Sequence, residues 1–396
     1  MRWTLVLLAT LGCDPDPVKD SAVDTDTDLP DTDTVTDTDT TPPGPVGCDV
    51  PGTICRGAGS GARGLNGPQK ADAVWLNLPT AIAFEADGRP IFADYENHMV
   101  RRIEATQDVV TLAGYGFHSY AEEGPAVASP LENPIDVARC GTNLFLAEQH
   151  GTRILMVDAF GNLWVVAGQV GTIGYAGDGG PATAALMSEI TGVACDDDGT
   201  LYIADFGNNA IRMVDPYGII STLAGSAVEG HADGPADQAL FASPQDVVLH
   251  DGALYVAEWR NHTIRRIDLD TREVTTVAGT PPDGTQPQYG FSGDGGPAVG
   301  AKLNFPTGVA LAEDGTLYIA DSTNHVIRRV KPDGVIDTVA GTAPVGGVPQ
   351  SGFDGDGAPG LEAHLALPYG VAVAPDGKVW IADTQNSVLR VLTPPE

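Results

Sequence analysis

The sequence lacks any apolar run long enough to cross a bilayer as a helix, which takes about 18 residues or more, so no transmembrane helix is expected. Helical periodicity is also missing, which excludes a helical bundle or a coiled coil. Positive charge is scarce: 21 Lys and Arg face 53 Asp and Glu, for a formal net charge of −32. Such a surface repels phosphate backbones and argues against a nucleic-acid partner. Cysteine is limited to five residues, too few for a disulfide scaffold in a chain of 396. What the chain does hold in quantity is turn chemistry, with 49 Gly and 30 Pro. Short apolar runs separated by such residues point to an all-β protein.

These runs repeat. In Glu313–Gly341, LYIA, VIRRV and VIDTVAG are divided by turn residues, and Phe305–Leu311 supplies a fourth run just before them. Four short strands make one small antiparallel sheet, and the unit occurs six times. A carboxylate closes the second strand of each unit: Asp94, Glu148, Asp205, Glu258, Asp321 and Asp383, spaced by 54, 57, 53, 63 and 62 residues. Three residues later stand Asn97, Asn208, Asn261, Asn324 and Asn386, and seven later Arg101, Arg212, Arg265, Arg328 and Arg390. The second unit departs, with Gly151, Thr152 and Leu155 at positions that hold Asn, His and Arg elsewhere. Asp-Gly pairs such as Asp87-Gly88, Asp314-Gly315 and Asp376-Gly377 mark the first hairpin of five units. The sixth unit ends after its third strand, near Leu392, while an orphan GTICRGAG sits at Gly52–Gly59. The spacing therefore predicts a six-bladed β-propeller whose last blade is closed by the N-terminal strand.

The segments ADYENHMVRRI (93–103), ADFGNNAIRMV (204–214), AEWRNHTIRRI (257–267) and ADSTNHVIRRV (320–330) resemble the NHL-repeat family, with GDGGPA loops at Gly177–Ala182 and Gly293–Ala298. The likeness covers residue 52 onward, and bacterial envelope proteins and teneurins look similar. It implies an NHL-type propeller, a fold that serves mostly as a binding platform. The repeated Asp, Asn, His and Arg are expected to be structural, because an active site needs unlike residues converging on one point. In the similar peptidyl-hydroxyglycine lyase, zinc is held by His at positions matched here by Thr80, Ile135, Thr191, Gln245, Thr307 and Tyr369, so that zinc site is not expected. Asp136 and Asp246 are the channel-mouth carboxylates that a lactonase-like metal centre would use. No metal site and no cofactor are assigned; calcium at Phe353–Gly357 is the one cation that loop composition would suit.

The first residues, MRWTLVLLATLGC, resemble a bacterial lipoprotein signal, which implies a signal over 1–12 and lipidation of Cys13. Residues 13–47 hold alternating Asp and Thr with several Pro, a composition expected to stay disordered and act as an acidic tether. The propeller is expected over 48–396. Four further cysteines permit two disulfides; Cys48–Cys55 and Cys140–Cys195 are the preferred pairs, with other pairings and free thiols left open. The expected function is that of a lipid-anchored, extracytoplasmic binding propeller of the bacterial envelope. It would be a monomer that catalyses nothing and recognises a protein or glycan; the alternative is a metal-dependent lyase or lactonase. The candidate ligand-binding residues are Tyr95, Phe206, Trp259, Tyr289, Phe291, Phe353 and Tyr369, on loops gathered at one face, with Trp259 as the first anchor.

Overall fold

Six antiparallel sheets radiate from a common axis in the computed structural model, which describes residues 48–284 and 286–395. The expected signal over 1–12, Cys13 and the tether over 13–47 lie outside the described residues. Blade one runs from its inner strand outward as Pro79–Phe84, Pro90–Asp94, Met99–Ile103 and Val109–Ala113. Blades two to five follow the same order, with inner strands Pro134–Cys140, Ile190–Cys195, Pro244–His250 and Pro306–Leu311. Each inner strand neighbours the next, and Pro368–Val373 of blade six lies against that of blade one, closing the ring.

Blade six is composite. Its inner three strands are Pro368–Val373, Val379–Asp383 and Val388–Leu392, and its outer strand is Thr53–Ala58. Ile54 pairs with Leu392, Cys55 with Val391 and Arg56 with Arg390, so the predicted closure is present. A disulfide joins Cys48 to Cys55, with Cα atoms 5.8 Å apart, at the start of this strand. Four blades gain a two-residue fifth strand on the outer edge, such as Gly124–Pro125 on Asn162–Ala167. These short pieces cover edges that would otherwise leave N–H and C=O groups unpaired.

The core lies between blades. Ile91, Val100 and Leu131 pack with Leu146 and Leu155 between blades one and two, and Ile54, Ala340, Leu365 and Leu392 pack between five and six. Alternation along each strand sends one set of apolar side chains to each neighbouring blade, as the period of two requires. The helical elements among the described residues are single 3-10 turns, four after the second strand of a blade and three in loops leading into the next blade, and none is long and apolar enough to cross a membrane.

Candidate functional site

The recurring polar residues explain themselves once the turns are built. Asp94 ends a strand, and the chain then makes the 3-10 turn Tyr95–Asn97 with His98 in the left-handed region. That turn folds Asn97 back, so its Nδ2 donates to Asp94 at 2.8 Å, while Arg101 donates to the same carboxylate at 3.0 Å. The other oxygen of Asp94 accepts the Asn77 amide at 2.7 Å. The pattern recurs at Asp205, Glu258, Asp321 and Asp383. Each Arg of blades three to six also reaches a loop carboxylate: Asp178, Asp233, Asp294 or Asp356. Burial pushes Asp205 and Asp321 up to about 6 and Asp383 to about 7, with the neighbouring amides and guanidinium opposing it.

Blade two keeps the logic with different residues. Glu148 accepts from Arg153, five residues on, where other blades place the Arg seven on. A Cβ at Gly151 would stand 2.2 Å from a Glu148 oxygen, so glycine makes room for the longer carboxylate.

The fourth position of the turn links blades. His262 Nδ1 accepts the Phe305 amide at 3.0 Å, His325 Nδ1 accepts that of Leu367 at 3.0 Å, and Asn209 Oδ1 accepts that of Ser243 at 2.9 Å. Accepting requires a neutral ring, and burial holds His262 and His325 down at about 4.

The axis of the ring holds a cavity of about 270 Å³ lined by all six inner strands. At its first level the hydroxyls of Thr80, Thr191 and Thr307 donate to backbone carbonyls of the following blade. Tyr369, largely buried, accepts from Gln245 Nε2 across the ring. Below them Asp136 accepts the amides of Val137 at 2.8 Å and Val193 at 2.7 Å, and Asp246 those of Val247 at 2.7 Å and Val309 at 2.9 Å. Odd blades thus clasp even ones through threonine, and blades two and four clasp their successors through aspartate. Burial, and then the charge of Asp246, hold Asp136 well above its ordinary value. Burial raises Asp246 to about 6. Two carboxylates that each spend both oxygens on backbone amides serve as staples. A disulfide between Cys140 and Cys195, Cα atoms 6.2 Å apart, reinforces the junction that Asp136 bridges.

Several aromatic candidates are not available to a partner. Trp259 is 6% exposed and Tyr95 1%. Both occupy the first position of the turn after the anchor carboxylate, which tucks the side chain against the next blade. Trp259 sits 4.4 Å from the Phe305 ring and 6.1 Å from Phe206, and Tyr95 donates to Gln149. Tyr369 is buried in the channel, and Phe206 is half-buried. Phe291 and Phe353 lie over the guanidinium groups of Arg328 and Arg56, at 4.7 and 5.0 Å, and so lid the ion pairs. Tyr289 stays exposed, and Phe353 partly so. The carboxylates of the Phe353–Gly357 loop face cationic or imidazole partners, Asp354 with His364 and Asp356 with Arg56 and Arg390. That pairing leaves little of the ligand set that calcium would need.

The same face carries an exposed cluster that the sequence reading missed. Tyr115 and Phe117 stack at 6.0 Å, 48% and 57% exposed, on the loop leading into blade two. Leu65 packs over Gly116, Trp75 lies beside Gly64, and both remain more than 40% exposed. Behind Phe117, His118 stacks on His98 at 4.5 Å. The signal was the string YGFHSY at Tyr115–Tyr120, three aromatics and a histidine in six residues.

The fold and these motifs have known counterparts. The teneurin NHL domain family matches residues 59–232 and 268–347. Human Teneurin-4 is 29% identical over 357 residues, 81% of this chain and 12% of Teneurin-4. Chicken NHL repeat-containing protein 2 is 31% identical over 210 residues, 49% of this chain and 28% of that protein. The chain thus spans less than a third of either relative. Among solved structures, a structural genomics protein of unknown function from Bacteroides thetaiotaomicron superposes with TM-score 0.62 at 18% identity, covering 85% of this chain and 74% of that one. An auxiliary nutrient binding protein from the same species gives 0.59 at 15%, covering 85% and 75%. At these identities the two structures speak for the propeller fold alone. With the repeats, the turn chemistry and the family match in agreement, the chain belongs to the teneurin NHL domain family.

Proposed function

We propose that this chain is an extracytoplasmic, membrane-tethered binding propeller that captures an envelope protein through the loop face at blades one and two, and that it catalyses no reaction. The observation that carries the reading is the contrast between two residue sets. The ring-repeated polar groups are buried and spent on one another, whereas Leu65, Trp75, Tyr115 and Phe117 form an unlike, exposed apolar patch on a rigid scaffold. An apolar patch with an aliphatic member suits a protein anchor better than a sugar, which would require a denser set of hydrogen-bonding side chains. Two disulfides fit an oxidising compartment, and lipidation at Cys13 would provide the tether.

The test is capture from envelope extract by the lipid-anchored full chain. The partner should be retained by wild type and by Phe160→Ser, which alters a 91% exposed residue in the strand-connecting turn at Asp158–Asn162. Capture should fall at least tenfold for the double variant Tyr115→Ser with Phe117→Ser. Protease treatment of the extract should abolish capture and glycosidase treatment should leave it intact; the reverse pattern would assign a glycan. Equal capture by the double variant sinks the patch. Turnover of a lactone or of a peptidyl-hydroxyglycine, lost in Asp136→Asn, would overturn the non-enzymatic reading.

A further inference from the structure

Beside the apolar patch, residues from three separate segments bring metal-ligand atoms together. A ring nitrogen of His118, a ring nitrogen of His150 and a carboxylate oxygen of Glu132 all lie within 4.8 Å of one another. His118 Nε2 stands 2.7 Å from Glu132 Oε1, and His150 Nδ1 stands 3.8 Å from the same oxygen. We propose that His118, Glu132 and His150 form a binding site for a transition-metal dication of the zinc class at the junction of blades one and two.

Each ligand is held from behind. His118 bridges to Leu131 in the backbone, and its ring stacks on His98. The amide of Glu132 donates to Glu148 at 2.9 Å, which fixes the backbone before the inner strand. Asn133 Oδ1 lies 3.1 Å from His150 Nδ1 and fixes the orientation of that ring beside Glu132.

Comparison with the other blades makes the set distinctive. The loop position of His118 is held by Glu229 in blade four, and the turn position of His150 by Arg260; there the two form an ion pair at 2.7 Å. Glu132 has no such cation. Its side chain is 12% exposed, and among the described residues neither Lys nor Arg stands within 4 Å of its carboxylate. A carboxylate so enclosed and faced by two imidazoles calls for a counter-charge.

Two imidazoles and one carboxylate are a nitrogen and oxygen set suited to Zn²⁺, and unsuited to Ca²⁺, which takes six or more oxygens. Bonds of roughly 2.0–2.2 Å to one ion would part His118 Nε2 and Glu132 Oε1 slightly from their 2.7 Å. A metal needs neutral imidazoles and an ionised carboxylate, so affinity falls with falling pH. Three protein ligands leave the fourth tetrahedral position open toward solvent, since the His118 side chain is 55% exposed. This site is independent of the capture reading above.

The test uses the full chain stripped with a chelator and titrated with Zn²⁺ against a chromophoric competitor. One Zn²⁺ per chain is expected, with Ca²⁺ failing to displace it. His118→Asn and Glu132→Gln should each weaken binding at least tenfold, with the metal-free melting temperature unchanged. His364→Asn, at the Asp354–His364 pair on another loop, should bind as wild type does. Co²⁺ should give visible ligand-field absorption in wild type and none in His118→Asn. Absence of saturable Zn²⁺ binding overturns the proposal, and so does equal affinity in Glu132→Gln, which would move the metal to another part of the chain.

Discussion

The amide of Phe305 donates to Nδ1 of His262 across the junction of blades four and five, at 3.0 Å, with the His262 side chain buried. The histidine of the repeat is therefore an acceptor, and it works only while neutral. Blade three uses Asn209 for the same bond, which shows what the position asks for.

That equivalence gives a prediction with a sign. In the unfolded chain His262 takes a proton below about 6.5, whereas in the fold it stays neutral until about 4. Between these values the unfolded state binds more protons, so stability contributed here is lost as pH falls. His262→Asn should remove the penalty and gain on wild type, by up to about 3 kcal/mol, as pH drops from 7 to 4. Asp205, Asp321 and Asp383 work the other way: their folded values lie above the unfolded one, so their share is present at low pH and lost as pH rises through about 6 to 7. Urea melts of both proteins at pH 7 and pH 4.5 would check this, and a constant gap between them would refute it.

Arg153 is the second test. It pairs with Glu148 in the interior, and Arg153→Ala leaves that carboxylate uncompensated. A loss of about 3–5 kcal/mol is expected. Chemical denaturation should show it, and Arg139→Ala, whose side chain is 25% exposed, should cost far less.

Closure of the ring can be measured at Ile54. Its side chain is fully enclosed between blades five and six, so Ile54→Ala should cost about 2–5 kcal/mol. Removing residues 48–60 should cost more still, by stripping the outer strand from blade six. An unchanged melting temperature in either variant would mean that the N-terminal strand adds nothing.

Gly370 tests how closely the inner strands approach. A Cβ there would lie 2.1 Å from the Thr80 carbonyl oxygen, and the atoms it meets are the Thr80–Ala81 backbone, which cannot rotate away as a side chain could. Gly370→Ala should destabilise by about 1–3 kcal/mol, as overpacking does. A melting temperature equal to that of wild type would show that blades six and one can slide apart.

The fold was legible because its signals are local and repeated: Asp-Gly turns, the carboxylate at the strand end, and a spare strand at Thr53–Ala58 to match the strand missing after Leu392. The ion-pair rule could be read for five blades and failed for the second, since Arg153 had moved two residues along the strand and only the folded chain shows which guanidinium reaches Glu148. Trp259 was misjudged because sequence places it in a turn, and turns are usually exposed. Here the turn after Glu258 sends its first residue inward, onto Phe305. Tyr115 and Phe117 lacked the GDGG surroundings that drew attention to other loops. His118, Glu132 and His150 follow no ligand spacing along the chain, and only the ring closure of blade against blade brings them together.

The composite sixth blade has a consequence in time. Thr53–Ala58 leaves the ribosome before any other strand of the propeller, yet its partner Val388–Leu392 is made after all the rest. For as long as synthesis lasts, the earliest strand waits unpaired and blade six offers an open edge. Its docking must span the whole sequence, a contact of the most distant kind, which makes it a slow step. A chain delayed at this stage would be the one that pairs with a neighbouring copy instead of with itself.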